Sequence, residues 1–418
     1  MLYLSSSKGT GGEIKRSPDE FIVKEITRTG KILELNMQYS PEQLGMKVDP
    51  EGKFANFVLQ KRDWNTIQAL QNVAKRLGRG VKSIGYAGMK DRTATSTQIA
   101  SIFGVSAQAL ANVNMKDIRV NGAWQSKNPV ELGDLLGNAF EITIIGSKNS
   151  ENIPKIFEEL GGRIPNYFDA QRFGNRLNNA KVGTFILQNR LEDAAMEFLT
   201  GTTNENNQNA VAARNKLKEE GDFGAALEYF PGYLKHERTM IYHLAKEGTD
   251  FAKALRSIPR GISILFIHAV EAAIFNYAAE RMVKENAFED SKLFCGLDLF
   301  GFPDLEKLGS AGKEVPVSTI IGYETKEEEI NEYEREALEK LGIKKEGFKI
   351  RSMPELSMRG TYRPLLAPFK EEKYEQLSED LVKVSFALPS GAYATILLGE
   401  ITKSSPLDLE LVSPMLKF

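Results

Sequence analysis

Cysteine is almost absent from this sequence of 418 residues, which contains a single one, Cys295. A lone cysteine cannot form a disulfide within the chain, and such sparse use is typical of a reducing compartment. Cys295 lies in the short apolar run L-F-C-G-L at residues 293–297. We therefore expect it to be a buried and unreactive thiol.

The residues and motifs of several catalytic classes are also scarce. The three histidines, His236, His243 and His268, do not have zinc-ligand spacing, and neither H-E-x-x-H nor C-x-x-C occurs. The sequence also contains no Walker A loop, no G-x-G-x-x-G fingerprint and no nucleophile elbow. It therefore gives little support to metal, nucleotide or thiol chemistry, and we expect no metal site, no nucleotide cofactor and no other cofactor.

Long hydrophobic runs are scarce as well. The first twelve residues are rich in Ser and Gly and hold no apolar stretch of signal-peptide length, so we expect a cytoplasmic protein. The most apolar window, residues 262–279, includes His268, Glu271 and Asn276, which are costly at the centre of a bilayer. We therefore expect a buried helix in this window and no membrane association.

The net charge is only −2, but charges of the two signs are segregated along the chain. Residues 53–92 hold nine cations and two acids, a balance of +7, and residues 163–190 hold five cations and one acid. Acidic residues are concentrated later, at 324–346 and 371–380. This segregation fits a phosphate-binding face, and it equally fits charges that scatter over the folded surface.

One carboxylate in the first basic segment lies between two cations in a glycine-rich turn, at residues 85–92 (G-Y-A-G-M-K-D-R). Lys90 and Arg92 would favour the ionised form of Asp91, which keeps a carboxylate available as a nucleophile. The small residues before it allow a ligand to approach the backbone. The same turn also fits a solvated surface cluster, which is common and contributes little to stability.

Local periodicity predicts that Asp91 lies on a loop between two strands. Residues 83–87 form the predicted strand before the turn and residues 97–103 the strand after it. Asn65 or Thr66 can cap a helix with one apolar face, which follows a strand at 54–59. An extended segment centred on residues 21–23 is predicted at 12–26. Further strands are predicted at 141–145, 382–388 and 392–398, and helices at 153–160, 181–199, 210–219, 262–285 and 326–341. This order of strands, helices and strands suggests an insertion into a mixed α/β domain.

Six segments spread over most of the chain carry recognisable motifs. They are residues 12–23 (GEIKRSPDEFIV), 85–98 (GYAGMKDRTATSTQ), 136–140 (LGNAF), 164–174 (IPNYFDAQRFG), 358–364 (MRGTYRP) and 386–395 (FALPSGAYAT). Each segment alone is weak evidence, but six in order, including the long N-Y-F-x-x-Q-R-F-G string, are specific. In this order they resemble the TruD-type tRNA pseudouridine synthases.

The resemblance implies an α+β fold built on a pseudouridine-synthase catalytic domain, which has a mixed, mainly antiparallel sheet. Residues 1–165 and 360–418 would form this domain together, and residues 166–359 would form an inserted α/β TRUD domain. The implied activity is the isomerisation of uridine, at position 13 of tRNA, to pseudouridine without a cofactor. The expected partner is therefore tRNA, and no oligomeric partner is evident.

The resemblance also implies roles for particular residues. Asp91 is the expected nucleophile, and Lys15 is its expected ion-pair partner, which holds the carboxylate ionised. Phe140 matches the aromatic position that packs on the flipped base. Asn138 is expected either to contact the base edge or to hold its loop, and Phe21 is expected to shape the pocket.

Three cations complete the expected substrate-binding set. Arg172 is interpreted as a phosphate contact or a hinge residue between the domains, with a structural ion pair as the alternative. Lys90 and Arg92 are assigned to RNA phosphates. Two other functions stay open: a catalytically silent RNA-binding or chaperone protein on the same fold, and a metal-dependent phosphodiesterase. The second is disfavoured because Asp91 has no acidic neighbour in the sequence.

Overall fold

The computed structural model describes residues 2–287, 292–308 and 312–404. Strands and helices alternate through these ranges, with strands concentrated towards both ends of the chain. The strands are β1 (Phe21–Thr27), β2 (Phe54–Arg62), β3 (Ile84–Tyr86), β4 (Thr95–Phe103), β5 (Ile118–Ser126), β6 (Leu135–Ile145), β7 (Arg163–Pro165), β8 (Lys292–Leu297), β9 (Pro303–Leu308), β10 (Lys313–Ile320), β11 (Thr361–Pro364), β12 (Leu366–Pro368), β13 (Lys370–Ser378) and β14 (Leu381–Pro389).

The α-helices lie mainly in the middle of the chain. They are α1 (Thr66–Arg76), α2 (Ala107–Ala111), α3 (Ile153–Leu160), α4 (Asn179–Leu187), α5 (Leu191–Thr200), α6 (Gln208–Glu220), α7 (Phe223–Tyr229), α8 (Lys235–Glu247), α9 (Phe251–Arg256), α10 (Arg260–Glu285), α11 (Glu332–Leu341) and α12 (Ala394–Thr402).

The largest sheet has eight strands, in the order β13-β14-β6-β1-β4-β2-β5, with β3 also paired to β4. β1 and β4 are parallel, and the other described pairings of this sheet are antiparallel. β2 pairs with β4 along its whole length, so β1 and β3 lie on the opposite edge of β4. The predicted mixed, mainly antiparallel sheet is therefore confirmed.

Helix α1 packs on one face of this sheet because its apolar residues recur at helical spacing. Leu70 and Val73 are fully buried against Phe57 and Ile102 of the two central strands. The helix begins at Asn65, whose side-chain oxygen accepts hydrogen bonds from the amides of the next turn. The predicted helix and its cap are thus confirmed, and the helix borders the Asp91 loop at its first turn.

A second core is formed by the helices in the middle of the chain, with α10 at its centre. Within the described ranges, α10 is the one helix long and apolar enough to cross a membrane by length and composition. However, 78% of its most apolar window is buried inside the protein. The buried helix that the sequence predicts is therefore present, and its polar Asn276 holds the backbone of Phe168 through two hydrogen bonds of 2.8 Å.

The chain enters and leaves this helical region at neighbouring points. β7 and β12 pair antiparallel, with Ile164 opposite Ala367, although some 200 residues separate them in sequence. A four-stranded sheet, in the order β11-β10-β8-β9, packs beside the helices.

Cys295 is buried in β8 and its thiol donates to the Asp304 carbonyl oxygen at 3.0 Å, as expected of an unreactive thiol.

Three local predictions are wrong. Residues 392–398 were expected to form a strand, but α12 occupies this segment, since a short apolar run does not distinguish a strand from a buried helix. The helix expected at 181–199 is divided into α4 and α5 at Asn189, which has a φ of 57°. The helix expected from residue 326 begins only after its cap, Asn331. Residues 405–418 of the predicted catalytic domain lie outside the described residues.

Candidate active site

Asp91 lies on the loop from β3 to β4 and faces a cleft of about 520 Å³. Its side chain is 34% exposed, and its Oδ2 accepts a hydrogen bond of 2.6 Å from the ammonium of Lys15. The two residues are 76 positions apart in sequence. The structure therefore brings Lys15 and Asp91 together in an open cleft, and their catalytic roles stay predictions.

The parallel pairing of β1 with β4 explains why these two residues meet. Ile22 pairs with Thr95 at the start of the two strands, so the segments that precede them emerge at the same end of the sheet. Lys15 has a φ of 62°, a conformation uncommon for a residue other than glycine. Its Nζ lies 4.1 Å from the centroid of the Phe21 ring, a cation–π contact that fixes the ammonium beside the carboxylate.

Hydrogen bonds from side chains outside the loop hold the Asp91 loop. Thr66, at the start of α1, accepts from the Lys90 amide at 3.0 Å. Gln98 of β4 donates to the Gly88 carbonyl oxygen at 3.0 Å. Lys61 of β2 donates to the carbonyl oxygen of Asp91 itself at 2.7 Å. Asp91 is therefore fixed by the sheet and helix beneath it, as expected of a preorganised catalytic group.

An aromatic floor lies beside the ion pair. Phe140 of β6 lines the cleft and stacks on Phe386, with ring centroids 5.3 Å apart and planes inclined at 29°. Phe21 meets the Phe140 ring edge-on at 6.3 Å and is itself buried, so it shapes the pocket as expected. A flat apolar surface of this kind can replace the stacking that a base loses when it leaves a helix.

Asn138 lies two residues before Phe140 on β6, so both side chains project from the same face of the sheet. Both line the cleft. The Asn138 Oδ1 atom is buried and has no hydrogen-bond partner among the described residues. A buried acceptor without a partner is costly, and the base-edge contact and the loop-holding role of Asn138 both stay predictions.

The structure contradicts the assignment of Lys90 to an RNA phosphate. Its ammonium pairs with Glu25 Oε2 at 2.8 Å, and the two side chains are 3% and 0% exposed. The other carboxylate oxygen of Glu25 accepts from the Ile99 amide at 2.9 Å. Lys90 therefore neutralises a buried carboxylate of β1, because its side chain points inwards from the loop towards that strand.

Lys61, one of the nine cations of residues 53–92, is completely buried beneath Asp91. Burial lowers the pKa of its ammonium to about 8, although the nearby Asp91 carboxylate opposes that fall. The position of Lys61 in a strand could have predicted this burial. β2 is paired on both edges, and a charged residue in a central strand indicates a specific partner.

The two remaining predicted cations are accessible. Arg92 is 71% exposed and has only a 3.7 Å contact with Asp63. Arg172 is half-buried at the rim of the cleft, and its guanidinium lies 5.1 Å from the Phe168 ring. Within the described ranges Arg172 forms no ion pair, so the structural ion pair is wrong, while the phosphate contact and the hinge role stay predictions.

Arg363, in the fifth resembling segment, is a cleft residue that the sequence did not single out. It donates to the Asn166 carbonyl and side-chain oxygens and to the Gly391 carbonyl oxygen, at 2.7–2.9 Å. Its guanidinium also stacks 4.1 Å from the Phe168 ring. Burial lowers its pKa to about 10. Arg363 therefore holds the segments around the cleft together, and its position in a specific motif was the available signal.

Comparisons with known proteins agree closely with one another. A family model described as tRNA pseudouridine synthase D (TruD) matches residues 1–294 and 300–401. A protein of Methanosarcina barkeri named "Probable tRNA pseudouridine synthase D" is 31% identical over 442 aligned positions, covering 98% of this chain and 97% of the relative. A relative of the same name from Thermococcus sibiricus is 32% identical, covering 96% and 97%.

A solved structure matches the same fold. The crystal structure of a Methanosarcina mazei protein named "Putative tRNA pseudouridine synthase D (TruD)" superimposes with a TM-score of 0.74 at 29% sequence identity. The match covers 97% of this chain and 96% of that one. The arrangement of sheets and helices described above is therefore that of a known fold, over nearly the whole chain.

Proposed function

The chain belongs to the tRNA pseudouridine synthase D (TruD) family, an isomerase family that acts on tRNA, and we propose that it converts uridine 13 to pseudouridine. The reaction breaks the N1–C1′ glycosidic bond, turns the uracil and forms a C5–C1′ bond. The base loses its C5 proton and gains one at N1, so atoms and electrons balance without a cofactor. The observation that carries the proposal is the Lys15–Asp91 pair facing a cleft floored by Phe140.

We propose that the Asp91 carboxylate acts at C1′ of the target nucleotide. It either adds to the sugar or assists its conversion to an elimination intermediate, and both routes need the ionised form. Lys15 donates a direct, charge-assisted hydrogen bond of 2.6 Å to this carboxylate and so orients it. Lys61 adds a buried cation below the loop and fixes the backbone of Asp91, so the carboxylate does not need to reorganise during the reaction.

The uracil would lie on the opposite side of this pair, against Phe140. Replacing the stacking of a flipped base is a common requirement of enzymes that act on nucleobases. The Phe140 ring is held in place by Phe386 behind it, so little conformational entropy is lost on binding. The Asn138 amide would pair with the polar edge of uracil, which satisfies its otherwise unpartnered oxygen.

Affinity for tRNA would come mainly from phosphate contacts, with Arg172 at the rim of the cleft and the exposed Arg92 as candidates. We further propose that residues 1–165 and 360–418 together form a discontinuous catalytic domain. Residues 166–359 would be inserted into it as a second domain. This division is supported by the helical core, whose buried members lie between Tyr167 and Leu365. We also propose that the protein acts in the cytoplasm, because its proposed substrate is tRNA.

The proposal is tested with unmodified tRNA transcripts. We expect the protein to form pseudouridine at position 13, mapped by carbodiimide treatment and primer extension, and to leave a transcript with cytidine at that position unmodified. Pseudouridine elsewhere would refute the position but not the reaction. No pseudouridine in any transcript, with tRNA still bound, would instead support a silent RNA-binding protein.

A further inference from the structure

A second cleft, of about 420 Å³, adjoins the active-site cleft. We call it the flanking cleft; the two share Arg172, Arg363 and Ser390 in their linings. Its walls are largely apolar, and they include the side chains of Phe168, Met358 and Tyr362. A space of this composition suits a flat ring with a polar edge, and it opens directly beside the proposed position of the target uridine.

His268 and Glu271 of α10 supply a polar edge inside the flanking cleft. The Nδ1 atom of His268 lies 2.8 Å from Glu271 Oε2, and the Glu271 side chain is only 6% exposed. A buried carboxylate paired with one ring nitrogen fixes the orientation of the imidazole. Among the described residues no hydrogen bond uses the Nε2 atom of His268, so this atom is available to a ligand.

Arg172 lies at the boundary between the two clefts. Its guanidinium stacks on Phe168 at 5.1 Å, and no carboxylate pairs with it in the described part of the chain. Arg363, the other shared cation, is occupied by three hydrogen bonds to the protein. Arg172 is therefore the cation positioned to accept a phosphate that joins one cleft to the next.

We propose that the flanking cleft binds the nucleotide next to the target uridine in the same tRNA. Its base lies among Phe168, Met358 and Tyr362 with its polar edge towards His268, and Arg172 takes the linking phosphate. This inference rests on the proposed function, since the first cleft must hold the target. It makes His268 a substrate-binding residue, for which neither the family nor the resembling segments supplied a signal.

The test measures binding, so that it does not depend on turnover. The dissociation constant of the Asp91→Ala protein is measured for the intact tRNA transcript and for transcripts with an abasic nucleotide at position 12 or 14. Loss of one stacked base weakens binding by about 5- to 100-fold. We expect such a penalty at one of the two positions, and we expect His268→Ala, added to Asp91→Ala, to reduce it by about 2- to 10-fold, the contribution of one hydrogen bond to the base.

Two further variants make the result specific. His236→Ala removes an exposed histidine from α8 and should leave the abasic penalty unchanged. His268→Gln keeps a hydrogen-bond donor for the buried Glu271 carboxylate but lacks the ring, so it replaces His268→Ala if that variant does not fold. This inference would be refuted if an abasic nucleotide weakened binding at neither position. It would also be refuted if the His268 variants left the abasic penalty unchanged. The proposed function fails separately, if the wild-type protein makes no pseudouridine.

Discussion

Replacing Lys90 by methionine should strongly lower the free energy of unfolding of the protein. The contacts between the protein and the phosphates of tRNA should stay intact. The substitution removes the cation 2.8 Å from Glu25 Oε2, and the Glu25 side chain that remains is 0% exposed. An isolated buried carboxylate is far more costly than the pair, and breaking such a pair typically costs about 3–5 kcal/mol. For a domain of this size that corresponds to a fall in melting temperature of roughly 10 °C.

A double variant separates charge from packing. Glu25→Gln keeps an acceptor for the Ile99 amide, which now bonds to Glu25 at 2.9 Å, but removes the charge. The combination Glu25→Gln with Lys90→Met should therefore be more stable than Lys90→Met alone, since no charge is left buried. Thermal unfolding followed by circular dichroism measures all three proteins under the same conditions.

Arg92→Met is the matched control, because Arg92 lies two residues away and is 71% exposed. It should change stability by no more than about 0.5 kcal/mol, but it should lower tRNA affinity and reduce the salt dependence of binding by about one phosphate contact. The tRNA affinity of Lys90→Met, measured below the melting temperature of that variant, should have the same salt dependence as that of the wild type. A stable Lys90→Met protein that loses a phosphate contact would refute the reasoning.

Three further substitutions probe the cleft. Lys15→Met should lower kcat by about 10- to 100-fold with little change in tRNA affinity, because it removes a charge-assisted hydrogen bond to Asp91. Restored turnover in Lys15→Arg would support a charge role for Lys15. An undiminished kcat in Lys15→Met would contradict that role. Phe140→Leu should raise KM by about fivefold or more, through lost base stacking, whereas Phe140→Tyr should not; equal KM values for the two variants would count against stacking. The pKa of Lys61 is about 8 in the folded protein against an ordinary 10.5, so the unfolded chain binds more protons between these values. The melting temperature of the wild type should therefore rise relative to that of Lys61→Met between pH 8 and 10.5, and a constant difference would show that Lys61 does not titrate there.

The central strands and their flanking helix were predictable because their patterns are local. Residues 54–59 and 97–103 fall within β2 and β4, and the Asn65 cap marks the start of α1. The helix α12 was not predictable in the same way. Its residues form a short apolar run, and such a run is compatible with a buried strand or a buried helix until the packing is known.

The charged residues show where sequence reasoning stops. Lys90 and Arg92 flank Asp91 symmetrically in the sequence, yet one is buried against Glu25 and the other is exposed. Their difference depends on which side chains of the loop between β3 and β4 point towards Glu25 of β1, and this is a tertiary property. The Lys15–Asp91 pairing was available only through the resemblance, since nothing in either local segment specifies the other.

The central claim is that Asp91 is the group that acts on the sugar. The most direct measurement compares the wild-type and Asp91→Ala proteins on an unmodified tRNA transcript, with pseudouridine mapped at position 13 and tRNA affinity measured in parallel. The account predicts that Asp91→Ala forms no pseudouridine while its dissociation constant for tRNA stays within about threefold of the wild-type value, because phosphate contacts supply most of the affinity. Pseudouridine formation by Asp91→Ala at the wild-type rate would contradict it.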